Sequence, residues 1–327
     1  MRHQYQRTHA NPFTYFNMIV NKAVIPIAGL GTRFLPVTKV IPKEMLPIKG
    51  KPILQILIEE VYKARIKEVI LVINKEKEKL IKEYFSKETL ISKKISRKGK
   101  DENLSNLNKL ISDIKFSYVF QKEPLGDGHA ILQAENLVGN EPFAVLFGDD
   151  IIIPRKDEPA SLSQLIKIFE KTNSSVIALE KVPKKKISSY GVVQLTRLVD
   201  HANHANISDH MDLTANSTTP SNRIDLVSPT SRTSNKNPLL HQISDLVEKP
   251  SPNKAPSNLG IIGKYIVTPK IFEALKKSNK SNDGKIRLID GFKELIKTQK
   301  IYGLEIRGKR YDTGTLEGYK KAILEIN

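Results

Sequence analysis

The chain has 327 residues, and its 53 lysines and arginines against 35 acidic residues give a formal net charge of +18. The absence of cysteine excludes a disulfide scaffold, a thiolate zinc site and cysteine catalysis, and it suits a reducing cytoplasm. No apolar run is long enough to cross a membrane, while the charge predicts an anionic partner: nucleic acid, a membrane surface or a phosphorylated metabolite.

Residues 1–17 precede the predicted domain. They contain two arginines, two histidines and no acid, but neither an apolar stripe nor the serine richness of a transit peptide. Because Met18 stands directly before an apolar strand, we expect 1–17 to be a disordered extension and the domain to span 18–327.

From residue 22, short β-branched runs alternate with helical periodicity. The predicted strands are 22–28, 68–73, 116–120, 143–147, 175–179, 243–248, 259–267 and 301–306. The predicted helices are 52–65, 75–85, 128–137, 161–171, 269–277, 286–298 and 315–325. This alternation predicts an α/β fold with a mostly parallel central sheet, helices on both faces, and ligands at the carboxyl ends of the strands.

Two segments interrupt the pattern. Of the 41 residues in 200–240, twenty are Ser, Thr, Asn or Pro and none is aromatic. The entropy lost on ordering this segment would therefore not be offset by burial of apolar side chains. We predict a disordered surface insertion, whose histidines would lack the fixed geometry of a metal site. The basic stretch 93–100 contains no aromatic residue and is typical of a solvated helix face.

The first candidate site is the turn AGLGTR at 28–33, directly after the first predicted strand. It lacks the third glycine of the Rossmann fingerprint and the lysine of a Walker A loop. Backbone N–H groups of such a turn can approach phosphate oxygens, and three cations follow, at Arg33, Lys39 and Lys43. The segment therefore predicts a polyphosphate site.

Carboxylates follow other strands. Asp149 and Asp150 come after strand 143–147, and Asp312 stands at another junction between a strand and a turn. Such residues usually cap turns, but beside a phosphate site they favour a hard cation that bridges phosphates. We predict a metal at Asp149, with Asp312 as a further ligand. The VEKP segment at 247–250 indicates by itself only a surface ion pair.

Seven ordered motifs carry a family resemblance. They are AGLGTRFLPVTK (28–39), IPKEMLPI (41–48), Gln121 with GDGHA (126–130), FAVL with GDD (143–150), YGVV (190–193), VEKP (247–250) and APSNL (255–259). With them the chain closely resembles UTP–glucose-1-phosphate uridylyltransferases of the bacterial and archaeal type, over residues 19–325. The stretch 28–48 favours this branch over the thymidylyl- and adenylyltransferases.

The resemblance implies a Rossmann-like nucleotide-diphosphosugar transferase fold and uridylyl transfer from UTP to glucose 1-phosphate. A sugar phosphate oxygen would attack the α-phosphorus in line, with Mg²⁺ and without a covalent enzyme intermediate, giving UDP-glucose and pyrophosphate. Such chemistry needs mainly positioning and charge neutralisation. The family also implies a homo-oligomer, either a dimer or a tetramer.

The resemblance implies thirteen site residues. Those expected at the nucleotide are Ala28, Gly29, Gly31, Glu44, Gln121 and Gly126, with Glu44 and Gln121 reading the uracil edge. The catalytic cations are Arg33 on pyrophosphate, Lys43 on the triphosphate or the reacting phosphate, and Lys249 on the sugar phosphate. Gly191 and Glu248 are expected at the glucose hydroxyls, and Asp149 and Asp312 at Mg²⁺. For Glu44 a second interpretation is open, a counter-charge to Lys43.

The chain departs from the family pattern at two places. The family usually has KGLGH where this chain has LGDGH (125–129), so Asp127 replaces a leucine. It usually has GEIQLTD where this chain has GKIRLID (284–290), so Lys285 replaces a carboxylate and Ile289 a hydroxyl. The phosphate site is unaffected, while the identity of the sugar and the subunit contacts stay open.

Two alternatives remain at this point. One is the same chemistry on another pair, dTTP with glucose 1-phosphate or UTP with N-acetylglucosamine 1-phosphate. The other is a non-catalytic protein that binds nucleic acid or regulates a partner; it would bind DNA or RNA with a steep salt dependence and tolerate Asp149→Ala. The candidate phosphate and metal residues favour the enzyme, with neither nucleic acid nor membrane as a partner.

Deleting 1–17, or shortening 200–240, is expected to leave turnover nearly unchanged, because neither segment carries a candidate site residue. Steady-state kinetics on the two truncated chains measures this. A large loss on either deletion would show that the segment takes part in the fold or the site.

Overall fold

The computed structural model describes residues 19–87, 89, 92, 94, 102–196, 240–278, 281 and 283–326. The predicted extension at 1–17 lies outside these residues, and so does the predicted insertion at 200–240 apart from Leu240. Of the cations in the basic stretch 93–100, the structure describes Lys94 alone.

The described residues form thirteen strands. They are β1 (Lys22–Pro26), β2 (Pro47–Ile48), β3 (Lys51–Pro52), β4 (Glu68–Ile73), β5 (Lys115–Phe120), β6 (Phe143–Leu146), β7 (Asp150–Pro154), β8 (Ser175–Lys181), β9 (Gly191–Leu195), β10 (Leu240–Glu248), β11 (Leu259–Val267), β12 (Ile301–Glu305) and β13 (Gly308–Asp312). Every predicted strand is present. Strand β10 begins at Leu240, the last residue of the predicted insertion, because residues 240–243 pair with β12.

The helices of the described residues are α1 (Ile53–Lys63), α2 (Glu78–Tyr84), α3 (Glu102–Asp113), α4 (Asp127–Leu132), α5 (Glu135–Val138), α6 (Ser161–Thr172), α7 (Lys270–Lys277), α8 (Leu288–Leu295) and α9 (Leu316–Glu325). Every predicted helix is present, with 128–137 divided into α4 and α5. Among the described residues no helix has the length and apolarity needed to span a membrane.

The central sheet has nine strands in the order β5-β4-β1-β6-β11-β8-β12-β10-β9 within the described residues. Seven run in one direction, and β10 and β11 oppose them. Successive side chains of a strand point to opposite faces of the sheet and pack in two separate hydrophobic cores. In β1, Ala23 and Ile25 pack on one face, and Val24 packs on the other. Helices α1, α2, α3 and α6 cover the first face, and α4, α5, α7 and α8 cover the second.

Four neighbouring strands place their carboxyl ends at one edge of the sheet. Strands β5, β4, β1 and β6 are mutually parallel, so the loops that follow them meet there. The glycine turn follows β1, residues 74–77 follow β4, Gln121 follows β5, and residues 147–149 follow β6. The edge therefore brings together segments that are far apart in the chain.

A small hairpin outside the main sheet completes this edge. Strands β7 and β13 pair antiparallel, with Asp150 opposite Asp312. A separate apolar cluster anchors the hairpin, with Ile151 and Tyr311 packed together with Phe34 from the segment after the glycine turn. The predicted strands did not include β7, and of β13 the sequence indicated only the junction between strand and turn at Asp312. The hairpin brings the turn after Asp312 to Asp149.

One buried ion pair joins both layers of the first face. The ammonium of Lys264, on β11, is fully buried and lies 2.5 Å from Glu60 Oε2 on α1. Glu60 Oε1 accepts hydrogen bonds from the Ser161 hydroxyl and from Leu162 N–H, 3.0 Å away, at the start of α6. The carboxylate thus ties α1, α6 and β11 together.

Lys264→Met is expected to lower the free energy of unfolding by about 3–5 kcal/mol, because Glu60 is left as a buried charge without its cation. Lys264→Met/Glu60→Gln should recover most of the loss, since glutamine keeps an acceptor for Ser161 and Leu162. Urea unfolding measures both, with exposed Lys270→Met as the control. A double variant no more stable than the single one would contradict this account of the pair.

Candidate active site

A cavity of about 210 Å³ lies at the carboxyl ends of the parallel strands. It contains seven of the thirteen predicted site residues: Ala28, Gly29, Lys43, Glu44, Gln121, Gly126 and Asp149. The other lining residues are Pro26, Pro124, Asp127, Ala130, Phe147 and Gly148. We call this the first cavity.

A buried lysine holds the glycine turn in place. Lys77 Nζ donates to the carbonyl oxygens of Ile27 and Gly29, each 2.6 Å away, and to Glu44 Oε2 at 3.0 Å. These three bonds match the three donors of an ammonium group. Two carbonyl dipoles of the turn are therefore directed at Lys77, which keeps them from repelling a phosphate group.

Asn74 supports the same turn from the loop after β4. Its Nδ2 donates to the Ala28 carbonyl at 3.2 Å, and its Oδ1 accepts from the Lys77 N–H at 3.1 Å. Burial lowers the pKa of Lys77, and the charge of Glu44 opposes that fall. The loop after β4 thus fixes the turn after β1 through side chains that the sequence motifs did not mark.

Glu44 serves as the counter-charge to Lys77. Its side chain is 1% exposed, its Oε2 is bonded to Lys77, and its Oε1 lies 4.0 Å from Lys43 Nζ. A counter-charge was one of the two interpretations of this residue, although the nearer cation is Lys77 rather than Lys43. Recognition of the uracil edge by Glu44 stays a prediction, with Oε1 as the oxygen left for it.

Lys43 and Asp149 form an ion pair inside the first cavity, with Nζ 2.8 Å from Oδ2. Burial opposes the charge on Lys43, yet Asp149 and Glu44 raise the pKa of Lys43 above its ordinary value. Burial likewise opposes ionisation of Asp149, but Lys43 holds the pKa of Asp149 below its ordinary value. Both groups are therefore charged at neutral pH.

The turn after β13 gathers further predicted residues around Asp149. Thr313 N–H donates to the Asp149 carbonyl at 2.7 Å, and Asp312 Oδ1 accepts from Gly314 N–H at 3.1 Å. Arg33 donates to the Gly314 carbonyl at 3.2 Å. A side chain on Gly314 would place its Cβ 2.7 Å from Asp149 Oδ2. Arg33 and Asp312 therefore lie beside Asp149 without lining the first cavity themselves.

Two predicted glycines adopt backbone conformations that favour glycine. Gly31 has φ +68°, and a Cβ there would lie 3.2 Å from the Thr38 side chain. Gly126 has φ +107°, and a Cβ there would overlap the Ile286 carbonyl oxygen. Gln121 Nε2 donates to the Gly126 carbonyl at 2.9 Å, so this side chain also shapes the wall of the first cavity.

Asp150 is a structural residue that holds the hairpin to the sheet. Its Oδ2 accepts from Gly263 N–H at 2.7 Å, and its Oδ1 accepts from Arg310 Nε. Arg310 also reaches Glu180 at 2.8 Å and the Tyr190 hydroxyl at 3.0 Å. Burial raises the pKa of Asp150, while Arg310 opposes that rise.

A second cavity, of about 100 Å³, adjoins the first and shares Asp127 with it. It contains the predicted sugar residues Gly191 and Glu248. The rest of its lining is Asp127, Ile261, Tyr265, Arg287, Leu288, Ile289 and Phe292. Lys249 lies next to it, with Nζ 3.3 Å from Glu248 and its N–H bonded to the Tyr190 carbonyl at 3.0 Å.

Four residues with evident roles had no motif to mark them. Lys77 stands in a Lys/Glu-rich segment whose composition indicates only a solvated helix, and Asn74 resembles an ordinary turn residue. Arg310 lies on a strand that was not predicted. Asp127 stands in the GDGHA motif but was assigned no role there, and its departure from the family pattern was the one signal available.

The chain matches the family model described as nucleotidyl transferase over residues 22–208 and 231–327. The chain belongs to the nucleotidyl transferase family. This nucleotidyl transferase is 38% identical to a UTP–glucose-1-phosphate uridylyltransferase of Bacillus subtilis (strain 168), over 94% of this chain and 91% of the relative.

Solved structures of similar proteins agree with the fold. A crystal structure of UDP-glucose pyrophosphorylase complexed with UDP-glucose matches with a TM-score of 0.75 and 35% identity, over 94% of this chain and 98% of that one. A UTP-bound UGPase from Acinetobacter baumannii also has a TM-score of 0.75, with 29% identity over 94% and 93% of the two chains. The predicted fold class is confirmed.

Lys77→Met is expected to weaken nucleoside triphosphate binding about tenfold or more, because the Ile27 and Gly29 carbonyls lose their donor and can turn towards the phosphates. The variant also leaves Glu44 buried without its cation, which should lower the free energy of unfolding by about 3–5 kcal/mol. Calorimetric titration with a nucleoside triphosphate and urea unfolding measure the two effects.

Lys79→Met, at an exposed position in the first turn of α2, two residues after Lys77, is the matched control and should change neither quantity. Lys77→Met/Glu44→Gln should recover stability without recovering nucleotide affinity, since the turn still lacks its donor. Wild-type nucleotide affinity in Lys77→Met would show that the turn is held by other contacts.

Proposed function

We propose that this nucleotidyl transferase is a UTP–glucose-1-phosphate uridylyltransferase, which converts UTP and glucose 1-phosphate into UDP-glucose and pyrophosphate. The observation that carries the proposal is the pair of adjoining cavities. The first contains a glycine turn, Lys43 and Asp149, and the second contains Gly191 and Glu248. The names of the relatives, and the UDP-glucose and UTP bound in two similar structures, support the same reaction.

The residues of the first cavity suit binding of a triphosphate. The turn directs the carbonyls of Ile27 and Gly29 to Lys77, which leaves its N–H groups for phosphate oxygens. Lys43 supplies a cation at the cavity wall, and Arg33 supplies a second beside Gly314. We assign Arg33 to the departing pyrophosphate and Lys43 to the triphosphate or the reacting phosphate, where they neutralise developing charge.

The second cavity suits a sugar 1-phosphate. Glu248 offers a carboxylate to the sugar hydroxyls, and Gly191 keeps space beside it, because a Cβ there would lie 3.3 Å from Glu248 Oε2. Lys249 stands next to Glu248 and is assigned to the sugar phosphate. This phosphate is itself the nucleophile, so the enzyme needs to align it with the α-phosphorus rather than to activate a side chain.

Asp149 and Asp312 fit Mg²⁺ as the metal. No group of three or more His, Cys, Asp or Glu side chains able to hold a metal is found among the described residues. Mg²⁺ commonly takes one or two carboxylates and completes its coordination with substrate phosphates and water. Asp149 and Asp312 would hold the ion, and its positive charge would help to neutralise the phosphates of the substrates. Lys43 keeps the Asp149 carboxylate ionised for this role.

We further propose one catalytic domain over 18–327, with 1–17 as an extension and 200–239 as a surface insertion, since Leu240 belongs to β10. The family match begins at residue 22 and omits 209–230, which supports an insertion in the middle of this segment. A homo-oligomer in the cytoplasm remains a prediction. Exposed apolar side chains, among them Leu35 and Val40, offer surface for a subunit contact.

The test is pyrophosphate release from UTP, dTTP and ATP, each with glucose, galactose and N-acetylglucosamine 1-phosphates, with Mg²⁺ or EDTA. We expect the highest kcat/KM for UTP with glucose 1-phosphate and loss of turnover in EDTA. Asp149→Asn should lower kcat about 10²–10³-fold because it removes a charge at the reacting phosphates.

Asp157→Asn is the control for Asp149→Asn, since Asp157 is exposed in a turn with φ +65° that asparagine tolerates. It should match wild type. Higher kcat/KM with dTTP or with N-acetylglucosamine 1-phosphate would replace the proposed substrate pair. No turnover with any pair in Mg²⁺ would refute the function.

A further inference from the structure

We infer that Asp127 is a sugar-binding residue whose Oδ2 accepts a hydrogen bond from a hydroxyl of the sugar 1-phosphate, beside Glu248 in the second cavity. The inference rests on the proposed function and names a residue that determines sugar specificity. Asp127 lines both cavities. It therefore stands where the nucleotide and the sugar must approach each other.

The Asp127 carboxylate is fixed by one of its oxygens only. Oδ1 accepts hydrogen bonds from Gly128 N–H at 2.8 Å and from Leu288 N–H at 3.0 Å, in the first turns of α4 and α8. The remaining backbone donor at the carboxylate is the N–H of Asp127 itself, and within the described residues no hydrogen bond or ion pair from another residue engages Oδ2. Two backbone donors thus set the orientation of the carboxylate and leave its second oxygen for a ligand.

The charges around Asp127 favour a neutral hydrogen-bond donor. Asp127 is exposed to solvent, yet desolvation by its neighbours raises its pKa, and the Glu248 carboxylate adds to that rise. Glu248 has Lys249 as a cation 3.3 Å away, and no such cation is found for Asp127 among the described residues. A sugar hydroxyl would satisfy Asp127 without a further charge, whereas an acidic sugar would meet two carboxylates.

The two hydrogen bonds from backbone N–H groups do not by themselves require an aspartate at position 127. A single oxygen accepts both N–H groups, and asparagine would supply that oxygen equally well. The leucine usual in the family pattern would offer the sugar no acceptor. The side chain is therefore a feature in which this chain should differ from relatives that have leucine.

Asp127→Asn separates the two roles, because its amide oxygen keeps both caps while an NH₂ group replaces Oδ2. Calorimetric titration with UDP-glucose and with UDP gives the affinity due to the sugar. We expect UDP-glucose to bind about tenfold or more weakly to Asp127→Asn, and UDP to bind within about twofold of wild type.

The matched control is Asp245→Asn. Asp245 Oδ1 likewise accepts a backbone N–H, from Leu246 at 2.7 Å, and the residue is exposed as Asp127 is, but it lines neither cavity. It should leave both affinities unchanged. Equal UDP-glucose affinity in wild type and Asp127→Asn would overturn the inference, and so would an equal loss of UDP affinity.

A second measurement identifies the hydroxyl. In the series of 2-, 3-, 4- and 6-deoxyglucose 1-phosphates, wild type should lose about tenfold in kcat/KM for the sugar that lacks the partner hydroxyl. For that one sugar, Asp127→Asn should have the same kcat/KM as for glucose 1-phosphate, because the contact is already missing in the variant. Losses of the same size with every sugar would contradict a specific contact.

The experiments can refute the proposed function and the role of Asp127 independently of each other. Turnover of glucose 1-phosphate with unchanged sugar affinity in Asp127→Asn would leave the function standing and refute the role of Asp127. An absence of turnover with a selective loss of UDP-glucose affinity would refute the function and retain the sugar contact.

Discussion

The first cavity depends on the three hydrogen bonds of the Lys77 ammonium. The parallel strands place the glycine turn at the sheet edge, but a turn has carbonyl oxygens as well as N–H groups, and phosphate is repelled by the former. Lys77 takes the carbonyls of Ile27 and Gly29. Its buried charge requires a counter-charge, and Glu44 provides it. The Lys77 ammonium thus determines which backbone groups of the turn remain available to a ligand, and it also provides the cation that Glu44 is paired with.

Charges alternate from this lysine along the site. Glu44 lies between Lys77 and Lys43, and Lys43 is paired with Asp149. The formal net charge of +18 for the whole chain therefore does not describe the local charge of the site. These side chains are already paired with one another in the absence of substrate. If the proposed triphosphate binds here, it would replace one set of charge pairs with another, so no cation would have to be buried without a partner beforehand.

The sequence predicted the sheet and helices because their apolar periodicities are long and regular. It also located the turn after β1 and the carboxylate at Asp149, since each follows a strand with a clear run of apolar residues. Strand β7 was not predicted because Asp149 and Asp150 were interpreted as metal-ligand candidates after strand 143–147. For β13 the sequence indicated only the junction at Asp312, because GKRYD carries two cations. Lys77 escaped because its partners are backbone oxygens 48 and 50 residues away, and no local pattern encodes such a contact.

The two departures from the family pattern meet in space. Asp127 accepts the Leu288 N–H, and a Cβ on Gly128 would lie 2.7 Å from the backbone of Arg287. Segments 125–129 and 284–290 therefore form one wall, and a change in one alters the surroundings of the other. Arg287 and Ile289 line the same cavity as Asp127. Both departures therefore belong to the second cavity, the one proposed to hold the sugar.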